Sequence, residues 1–420
     1  MIDSNRTNSN TTTGVCLRAE ALWEAALNLG FPAAMWRLPH QEQVRLLVAV
    51  TEGVSRRQPD LEALPAGFIV SPFMVPDSQE VLFLEGDILF TVLPDEQVKE
   101  VESKLGEEHP SIKQLLDTAH EIQFKGTDTA HSPLSTGLYT RASARTNQQE
   151  RFKRAVALAV EAIRQEQFDK VVLSRTRELT YNEDFRPVKA FTKLAAAYPS
   201  AFISLVYLPE QRETWLGASP ETLVSTDAQG IFRTASLAGT QVARTASGEL
   251  LPKGEVRWGQ KEIEEQALVS RYIVECFKKI RLREYLEKGP KTVQAGNLYH
   301  LRTDFEVDTQ AVNFQGLDSV MLRLLHPTSA VCGMPKEPAL QFLTEVEGYD
   351  RTYYSGYLGP VNVEQESHLF VNLRTMRLAD GVATVYAGAG ITEDSDPQRE
   401  WEETELKCQT LLRVLAPEAQ

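Results

Sequence analysis

The sequence predicts an α+β fold in which large, mostly antiparallel β-sheets are flanked by helices. Strand-like runs and helix-like runs are grouped along the chain more than they alternate, which is typical of this class. The 420 residues are 42% hydrophobic and 24% charged, an ordinary globular composition. No internal repeat of about 20–50 residues is visible. The chain is long enough for a substantial core, and we expect one integrated domain.

The N-terminal third is predicted to contain a tail, helical segments and strands. Residues 1–14 are rich in Ser, Thr and Asn and are expected to be disordered. Apolar residues then recur at helical spacing through 15–60. Residues 67–94 contain two strand-like runs, with a predicted hairpin turn centred on Gly86. Residues 95–150 are polar and charged and are expected to form a helix and a surface connection.

Beyond residue 150 the periodicity is stronger. Amphipathic helices are predicted at 152–166 and 261–281, and a final helix near Pro397, since proline is favoured in the first turn. The predicted strands, in chain order, are 170–179, 202–209, 213–226, 231–240, 368–378 and 382–391. We therefore take 15–150 as the N-terminal part of the fold and 151–415 as the region that holds the functional residues.

The charge and the cysteines restrict the setting in which the chain works. A net charge of -14 and an isoelectric point near 5.2 disfavour nucleic acid and anionic membrane as partners. No apolar run approaches the ~20 residues of a membrane span, and the N-terminus lacks the apolar segment of a secretory signal. Because Cys16, Cys276, Cys332 and Cys408 are widely dispersed, we expect reduced thiols and a cytoplasmic location.

Two pairs of glutamates in the C-terminal half are the first candidates for chemistry. Glu262 and Glu265 lie in one predicted helix, and Glu400 and Glu403 lie in the final one. The three-residue spacing places each pair on one helical face. If the two faces shared a cleft, the four carboxylates would need a cation between them, and an all-oxygen donor set suits Mg²⁺. Two solvated acidic helix faces are the alternative explanation.

Ten short segments follow one another in a characteristic order over residues 150–415. They are FDKVVLSR (168–175), WLGASPETL (215–223), TASLAGTQ (234–241), KEIEEQ (261–266), YHLRT (299–303), LLHPTSAVCGMP (324–335), GYDRTYYSGYLGPV (348–361), FVNLRTMRL (370–378), YAGAGIT (386–392) and EWEETELK (400–407). The series resembles the chorismate-utilising enzymes: isochorismate synthases, salicylate synthases, the large subunit of anthranilate synthase, and aminodeoxychorismate synthase. One such segment is a weak signal, but ten in family order are specific. The resemblance implies the fold of anthranilate synthase component I.

The resemblance also implies a base and an acid. Lys170 matches the lysine with which isochorismate and salicylate synthases take a proton from the attacking water. The anthranilate-forming relatives typically have glutamine there, because ammonia needs no such activation. Glu221 matches the general acid that protonates the departing C4 hydroxyl of chorismate, and burial or a neighbouring carboxylate would keep it protonated. A surface lysine and a strand-end glutamate are the ordinary alternatives.

Metal and carboxylate ligands follow from the same resemblance. Mg²⁺ contact is assigned to Glu265 and Glu403 first, with Glu262 and Glu400 binding directly or through water. Arg374, predicted to point into the cleft from a strand, is assigned to the enolpyruvyl carboxylate, which a planar guanidinium binds through two hydrogen bonds.

Further substrate contacts are implied along the remaining segments. Lys407 shares a helical face with Glu403 and either pairs with it or holds a substrate carboxylate. His300 is weighed evenly between a contact to the ring and a structural role. The other assigned positions are Ala238, Gly239, Thr240, Tyr386, Gly388, Ala389 and Gly390. Aminodeoxychorismate synthases tend to have a nucleophilic lysine where this chain has Ala238, so no covalent lysine intermediate is expected.

The sequence therefore predicts an Mg²⁺-dependent isochorismate synthase that adds water at C2 of chorismate and removes the C4 hydroxyl, for menaquinone or siderophore synthesis. Salicylate synthase is the main alternative. Anthranilate synthase component I is disfavoured by Lys170 and by the absence of a fused glutaminase domain, and no glutaminase subunit is expected. A non-catalytic chorismate-binding protein is disfavoured because the acid, base and metal positions are filled. Two departures from the family pattern are Gln266 in place of histidine and Thr352 in place of glycine. The oligomeric state is left open, a monomer included.

Overall fold

The described part of the chain forms two antiparallel sheets and eight α-helices. The computed structural model describes residues 17–416 apart from 76–77, 107, 127–137, 141–144, 183, 243–248, 250 and 296–297. The predicted tail and Cys16 lie outside the described residues. The helices are α1 Ala19–Leu29, α2 Pro110–Gly126, α3 Arg145–Arg164, α4 Pro187–Ala197, α5 Gln260–Lys279, α6 Leu317–Leu325, α7 Lys336–Val346 and α8 Pro397–Leu415.

The strands make up the larger part of the core. They are β1 Ala33–Arg37, β2 Val44–Val48, β3 Val54–Arg57, β4 Gly67–Ser71, β5 Val81–Glu85, β6 Ile88–Val92, β7 Val98–Ser103, β8 Leu138–Thr140, β9 Lys170–Tyr181, β10 Phe202–Leu208, β11 Glu213–Ser219, β12 Thr222–Thr226, β13 Ile231–Val242, β14 Leu286–Ala295, β15 Leu298–Asp308, β16 Gly333–Met334, β17 Tyr357–Val361, β18 Ser367–Val371, β19 Thr375–Ala379 and β20 Val382–Ile391. The first sheet has the order β16-β9-β20-β19-β11-β10-β1-β2-β6-β7, with β8 against β9. The second sheet has the order β14-β15-β13-β12-β18-β17-β4-β5-β3. The predicted fold class is confirmed, and strands from the first 103 residues complete both sheets.

An apolar layer separates the two sheets. Phe202 of β10 stacks on Phe370 of β18 with ring centroids 4.1 Å apart, and Trp36 of β1 packs against Phe68 of β4. Helices α4 and α8 pack on the first sheet, and α5 packs on the second sheet along β13 and β15. Among the helices of the described ranges, none has the length and apolar character needed to cross a membrane.

Two neighbouring chain segments cross from one sheet to the other. One joins β11 to β12 through Pro220 and Glu221, and the other joins β18 to β19 through residues 372–374. The Val371 N–H donates to the Glu221 carbonyl at 3.0 Å, and the Arg374 carbonyl accepts an N–H of β11 at 3.0 Å. Arg374 has φ +48°, in the left-handed region that non-glycine residues rarely adopt. The two crossings therefore hold Glu221 and Arg374 side by side at the junction of the sheets.

Several predicted elements differ from the structure. The second half of 15–60 forms strands, because β2 is buried on both faces and its consecutive apolar residues imitate helical spacing. The hairpin at Gly86 is wrong, since β5 belongs to the second sheet and β6 to the first. Residues 213–226 and 368–378 are each two strands, one in each sheet. The polar segment 95–150 also contains the unpredicted strand β7.

Candidate active site

A cavity at the junction of the sheets collects side chains from segments that are distant in sequence. It is lined from both sheets, from the two crossings and from helices α5 and α8. The predicted site residues that line it are Glu221, Ala238, Gly239, Glu265, His300, Arg374, Tyr386, Gly388, Gly390, Glu403 and Lys407. The fold therefore brings most of the predicted residues to one place.

Lys170 is the first residue of β9, and its side chain is 2% exposed. Its Nζ donates to Oε1 of Glu265 on α5 at 2.8 Å. The neighbouring strand β20 has glycine at position 390, where an added Cβ would lie 3.0 Å from Glu265 Oε1 and 3.1 Å from Lys170 Cε. A side chain at position 390 would crowd this ion pair. Glycine therefore leaves open the space through which the pair reaches the cavity.

Glu221 lies on the first crossing with little exposure to solvent. Burial raises the pKa of its carboxyl group to about 7, against the opposing charges of Lys170, Lys407 and Arg374. A carboxyl group with this pKa carries a proton on about half of the molecules at neutral pH. Glu221 can therefore act as a proton donor.

Two cations line the cavity opposite the glutamates. Arg374 is buried on the second crossing, and burial lowers the pKa of its guanidinium. Arg374 was predicted to point from a strand, which is wrong: it precedes β19 and reaches the cavity from the left-handed turn. Lys407 donates to Glu403 Oε1 and to the Gly388 carbonyl, both at 2.7 Å. The cavity thus holds two cations that could face an anionic substrate, although the net charge of the chain is -14.

His300 of β15 is a neutral histidine at the cavity wall. Burial, with Arg374 nearby, lowers the pKa of its imidazole to about 3. Its Nδ1 lies 2.9 Å from the Gly239 carbonyl oxygen, which can only accept, so Nδ1 carries the ring proton. Gly239 has φ +65°, and an added Cβ would lie 3.0 Å from Glu262 Cβ. This turn of β13 therefore brings the backbone close to α5.

The four glutamates of the two helices are held in separate interactions. Three form ion pairs with lysines, namely Glu265 with Lys170, Glu403 with Lys407 and Glu400 with Lys261. Glu262 instead accepts the Gly259 N–H at 2.8 Å and caps α5. Within the described ranges, no three His, Cys, Asp or Glu side chains are gathered closely enough to hold a metal ion as they stand. Lysines of the chain therefore supply the positive charge that these carboxylates require.

The charges of these pairs act on the pKa values. Burial would raise the pKa of Glu265, but Lys170, with help from Lys407 and Lys261, holds it at about 2. Burial raises the pKa of Glu400, and Lys261 opposes that rise. Glu265 is therefore ionised at neutral pH.

One predicted contact has a side chain that points away from the cavity. Ala389 is fully buried in the core on the other face of β20, because successive side chains of a strand alternate between faces. Only the backbone of Ala389 could therefore face the substrate, and its assignment as a contact stays a prediction. Thr240 follows Gly239 on β13.

Sequence reasoning did not single out two residues that the structure places at the site. Tyr354 lines the cavity, with its hydroxyl 3.1 Å from the position of an added Cβ at Gly388. Lys261 pairs with Glu400 across the two helices. Both lie inside family segments, and Lys261 precedes Glu265 by four residues, a spacing that places them on one helical face.

The structure shows how one of the two departures from the family pattern is accommodated, and it shows an unfavourable backbone conformation at the other. Gln266, in place of histidine, donates from Nε2 to the hydroxyls of Ser236 at 2.7 Å and Thr303 at 3.0 Å. It therefore still ties α5 to β13 and β15. Thr352, in place of glycine, has φ +49°, a conformation that favours glycine.

Comparisons with known proteins agree with this architecture. A family model described as chorismate binding enzyme matches residues 69–416. Isochorismate synthase EntC of Escherichia coli strain K12 is 31% identical over 270 residues, 64% of this chain and 67% of that protein. Isochorismate synthase MenF of Bacillus subtilis strain 168 is 28% identical over 281 residues, 66% of this chain and 58% of that protein.

Solved structures show the same fold. The structure of MenF, the menaquinone-specific isochorismate synthase from Escherichia coli, has a TM-score of 0.69 at 21% identity, covering 95% of this chain and 91% of that one. Anthranilate synthase component I from Streptococcus pneumoniae has a TM-score of 0.62 at 18% identity, covering 98% and 95%. Because the family model spans residues 69–416, most of the sequence, the chain belongs to the family of chorismate binding enzymes.

Proposed function

We propose that the protein is an isochorismate synthase, an isomerase that converts chorismate reversibly into isochorismate. One observation carries the proposal: a buried lysine, paired with Glu265 beside the cavity, lies within electrostatic reach of a buried glutamate of the cavity whose pKa is about 7. The relatives named isochorismate synthase support the same reaction. MenF of Escherichia coli is named as menaquinone-specific, and a relative from Vibrio cholerae is named as a vibriobactin-specific isochorismate synthase, so the proposal covers either menaquinone or siderophore synthesis.

The reaction needs one proton acceptor and one proton donor. Lys170 must first lose its own proton; as a neutral amine it takes a proton from water, and the water oxygen forms a bond to C2 of the ring. The ring double bonds shift, and the bond from C4 to its hydroxyl oxygen breaks. Glu221 gives its proton to that oxygen, so the hydroxyl leaves as water and no charged hydroxide forms. One water enters and one leaves, so substrate and product have the same composition.

The cations of the cavity bind and orient the substrate. Arg374 is assigned to the enolpyruvyl carboxylate, because a buried guanidinium gains most from a planar anion that accepts two hydrogen bonds. Lys407 can reach a carboxylate near Gly388 while it stays close to Glu403. Neutral His300 adds no further charge at the ring.

Mg²⁺ is assigned to Glu265 and Glu403, with Glu400 and Glu262 binding directly or through water. The chemistry of the donors fits the ion, since all four are carboxylate oxygens on two helices, and they would have to move closer together to bind it. Three of the carboxylates are already paired with a positively charged group, the ammonium group of a lysine. When bound, Mg²⁺ would neutralise the ring carboxylate of the substrate and orient it. The buried free thiols of Cys276, Cys332 and Cys408 support a reducing, cytoplasmic setting.

Incubation with chorismate and Mg²⁺, followed by chromatography and mass spectrometry, tests the proposal. An isomer of the same mass as chorismate is the expected product. Salicylate with pyruvate would show that the reaction continues by elimination, as in salicylate synthases. An amino product formed with ammonium would indicate anthranilate chemistry. If chorismate binds and no product forms under any condition, the protein is a binding protein and the proposal fails.

Gly390→Ala is expected to lower kcat/KM by about 10-fold or more, because displacing reacting groups by about 1 Å costs up to ~100-fold. The added methyl would lie 3.0 Å from Glu265 Oε1 and 3.1 Å from Lys170 Cε. Gly254→Ala is the control, since an added Cβ there meets nothing within 4 Å. Steady-state kinetics and thermal melting of both variants check the prediction. Equal kinetics for the two variants would show that the pair tolerates displacement.

A further inference from the structure

Lys261 lies among carboxylates of both acidic helices. It is in the first turn of α5, and its Nζ lies 2.9 Å from Oε1 of Glu400 on α8. Its charge also interacts with that of Glu403 on α8 and that of Glu265, four residues further along α5. One ammonium group thus pairs with Glu400 and also attracts two further carboxylates of the two helices.

The two partners of this ion pair differ in their access to solvent. The side chain of Glu400 is 3% exposed, whereas that of Lys261 is 43% exposed. A buried carboxylate that loses its partner is strongly unfavourable. A lysine has a long flexible stem and a strongly hydrated ammonium group, so it can turn into water at small cost. Glu400 therefore needs a positive charge, and Lys261 is able to leave it.

The neighbouring carboxylates have lysines of their own. Glu403 is paired with Lys407 and Glu265 with Lys170, and both of these lysines are less exposed than Lys261. A divalent cation that bound the same carboxylates would stand within a few ångströms of the Lys261 ammonium, and like charges at that distance repel strongly. The ion and the ammonium group therefore compete for Glu400.

We propose that Lys261 is a built-in counter-ion: it joins α5 to α8 while the carboxylates carry no divalent cation, and a divalent cation must displace it in order to bind. The inference rests on the proposed Mg²⁺ site and adds a residue that sets how tightly the ion is held. Lys261 stabilises the free enzyme and weakens its affinity for the ion. It is thus a positioning residue that exchanges with the cation.

Calorimetric titration with MgCl2 tests this without measuring turnover. Lys261→Gln removes the ammonium group and is expected to bind Mg²⁺ about 10-fold more tightly than wild type, a difference of about 1.4 kcal/mol. Lys261→Arg keeps the charge and is expected to restore an affinity close to that of wild type. Lys279→Gln removes a charge from the exposed last turn of the same helix and serves as the matched control. Each protein is titrated alone and with the equilibrium mixture of chorismate and its product.

Thermal melting supplies a second measurement. In EDTA the melting temperature of Lys261→Gln is expected to fall below that of wild type, because Glu400 loses its partner, and Mg²⁺ is expected to restore more stability to the variant than to wild type. A variant that folds only with Mg²⁺ is the extreme form of this result. A variant that folds in neither condition contradicts displacement.

The failures are distinguishable. If wild type binds Mg²⁺ and Lys261→Gln binds it equally or more weakly, Lys261 does not compete with the ion and the inference is overturned, while the metal assignment stands. If wild type binds no Mg²⁺ even with the substrate mixture present, the metal assignment fails and the inference fails with it.

Discussion

Lys170→Gln is expected to reduce turnover of chorismate about 1,000-fold, within the range that loss of a general base produces. Glutamine accepts no proton at neutral pH, so water is no longer activated. Its amide N–H can still donate to Glu265, which limits the structural damage. Because the Glu265 side chain is 25% exposed, the loss of its partner should cost less than the ~3–5 kcal/mol of a fully buried pair. Steady-state kinetics and a substrate-binding titration together measure the effect.

The matched control is a lysine on a strand that pairs with a glutamate away from the cavity. The Nζ of Lys288 on β14 lies 3.1 Å from Oε1 of Glu306, and the Lys288 side chain is 49% exposed. Lys288→Gln is expected to keep kinetics close to those of wild type. The base is misassigned if Lys170→Gln keeps more than about a tenth of wild-type turnover. A loss of substrate binding equal to the loss of turnover would also contradict a role confined to proton transfer.

Glu221→Gln is expected to lower kcat/KM by a similar factor, roughly 100- to 10,000-fold, because an amide has the shape of the carboxyl group without its proton. Wild-type kcat/KM should fall as pH rises above about 7, where Glu221 loses the proton that it must donate. The residual activity of the variant should lack this alkaline decrease. Rates measured across the pH range check both points. An unchanged alkaline limb in the variant would assign that limb to another group.

The same carboxyl group links stability to pH. Its pKa is about 7 in the folded protein against an ordinary 4.5, so the folded state holds the proton more tightly than the unfolded chain. The stability that Glu221 contributes is fully present below the unfolded pKa and is lost as pH rises through about 7, by roughly 3 kcal/mol in all. Glutamine does not titrate, so the variant should gain stability relative to wild type over this window. Urea denaturation at about pH 5.5 and about pH 8 measures the difference; an equal change in both proteins would contradict the buried environment of Glu221.

The sequence predicted the members of the site better than their contacts. Spacing correctly placed Glu265 and Glu403 on helices, and the ordered segments brought Glu221 and Arg374 to one cavity. Spacing identifies a helical face and says nothing about which side chain of another element meets that face. The pairing of Glu400 with Lys261 therefore could not be predicted. The two residues are 139 positions apart in the sequence, and their contact depends on how their helices approach each other.

The sequence predicted individual helices and strands, but it did not predict which sheet each strand joins. β9 and β13 were recognised from their alternating residues, and α8 from its proline start. The hairpin at Gly86 failed because local turn residues are the same whether a chain returns to its own sheet or passes to another. The pairing of β6 with β2 is a long-range choice, decided by the apolar layer between the sheets. The side chain of Ala389 lies in the core because a three-residue motif on a strand presents its middle member to the opposite side.

Because of the two crossings, the positions of the cavity residues depend on how the two sheets pack against each other. Glu221 and Arg374 lie on these crossings, whose ends are anchored in different sheets, and the stacked rings of Phe202 and Phe370 keep the two sheets apart. Replacing either phenylalanine by alanine would let the two sheets move closer together. Glu221 and Arg374 would then shift together. Substitutions in the apolar layer between the sheets can therefore change catalysis even when every residue that contacts the ligand stays the same.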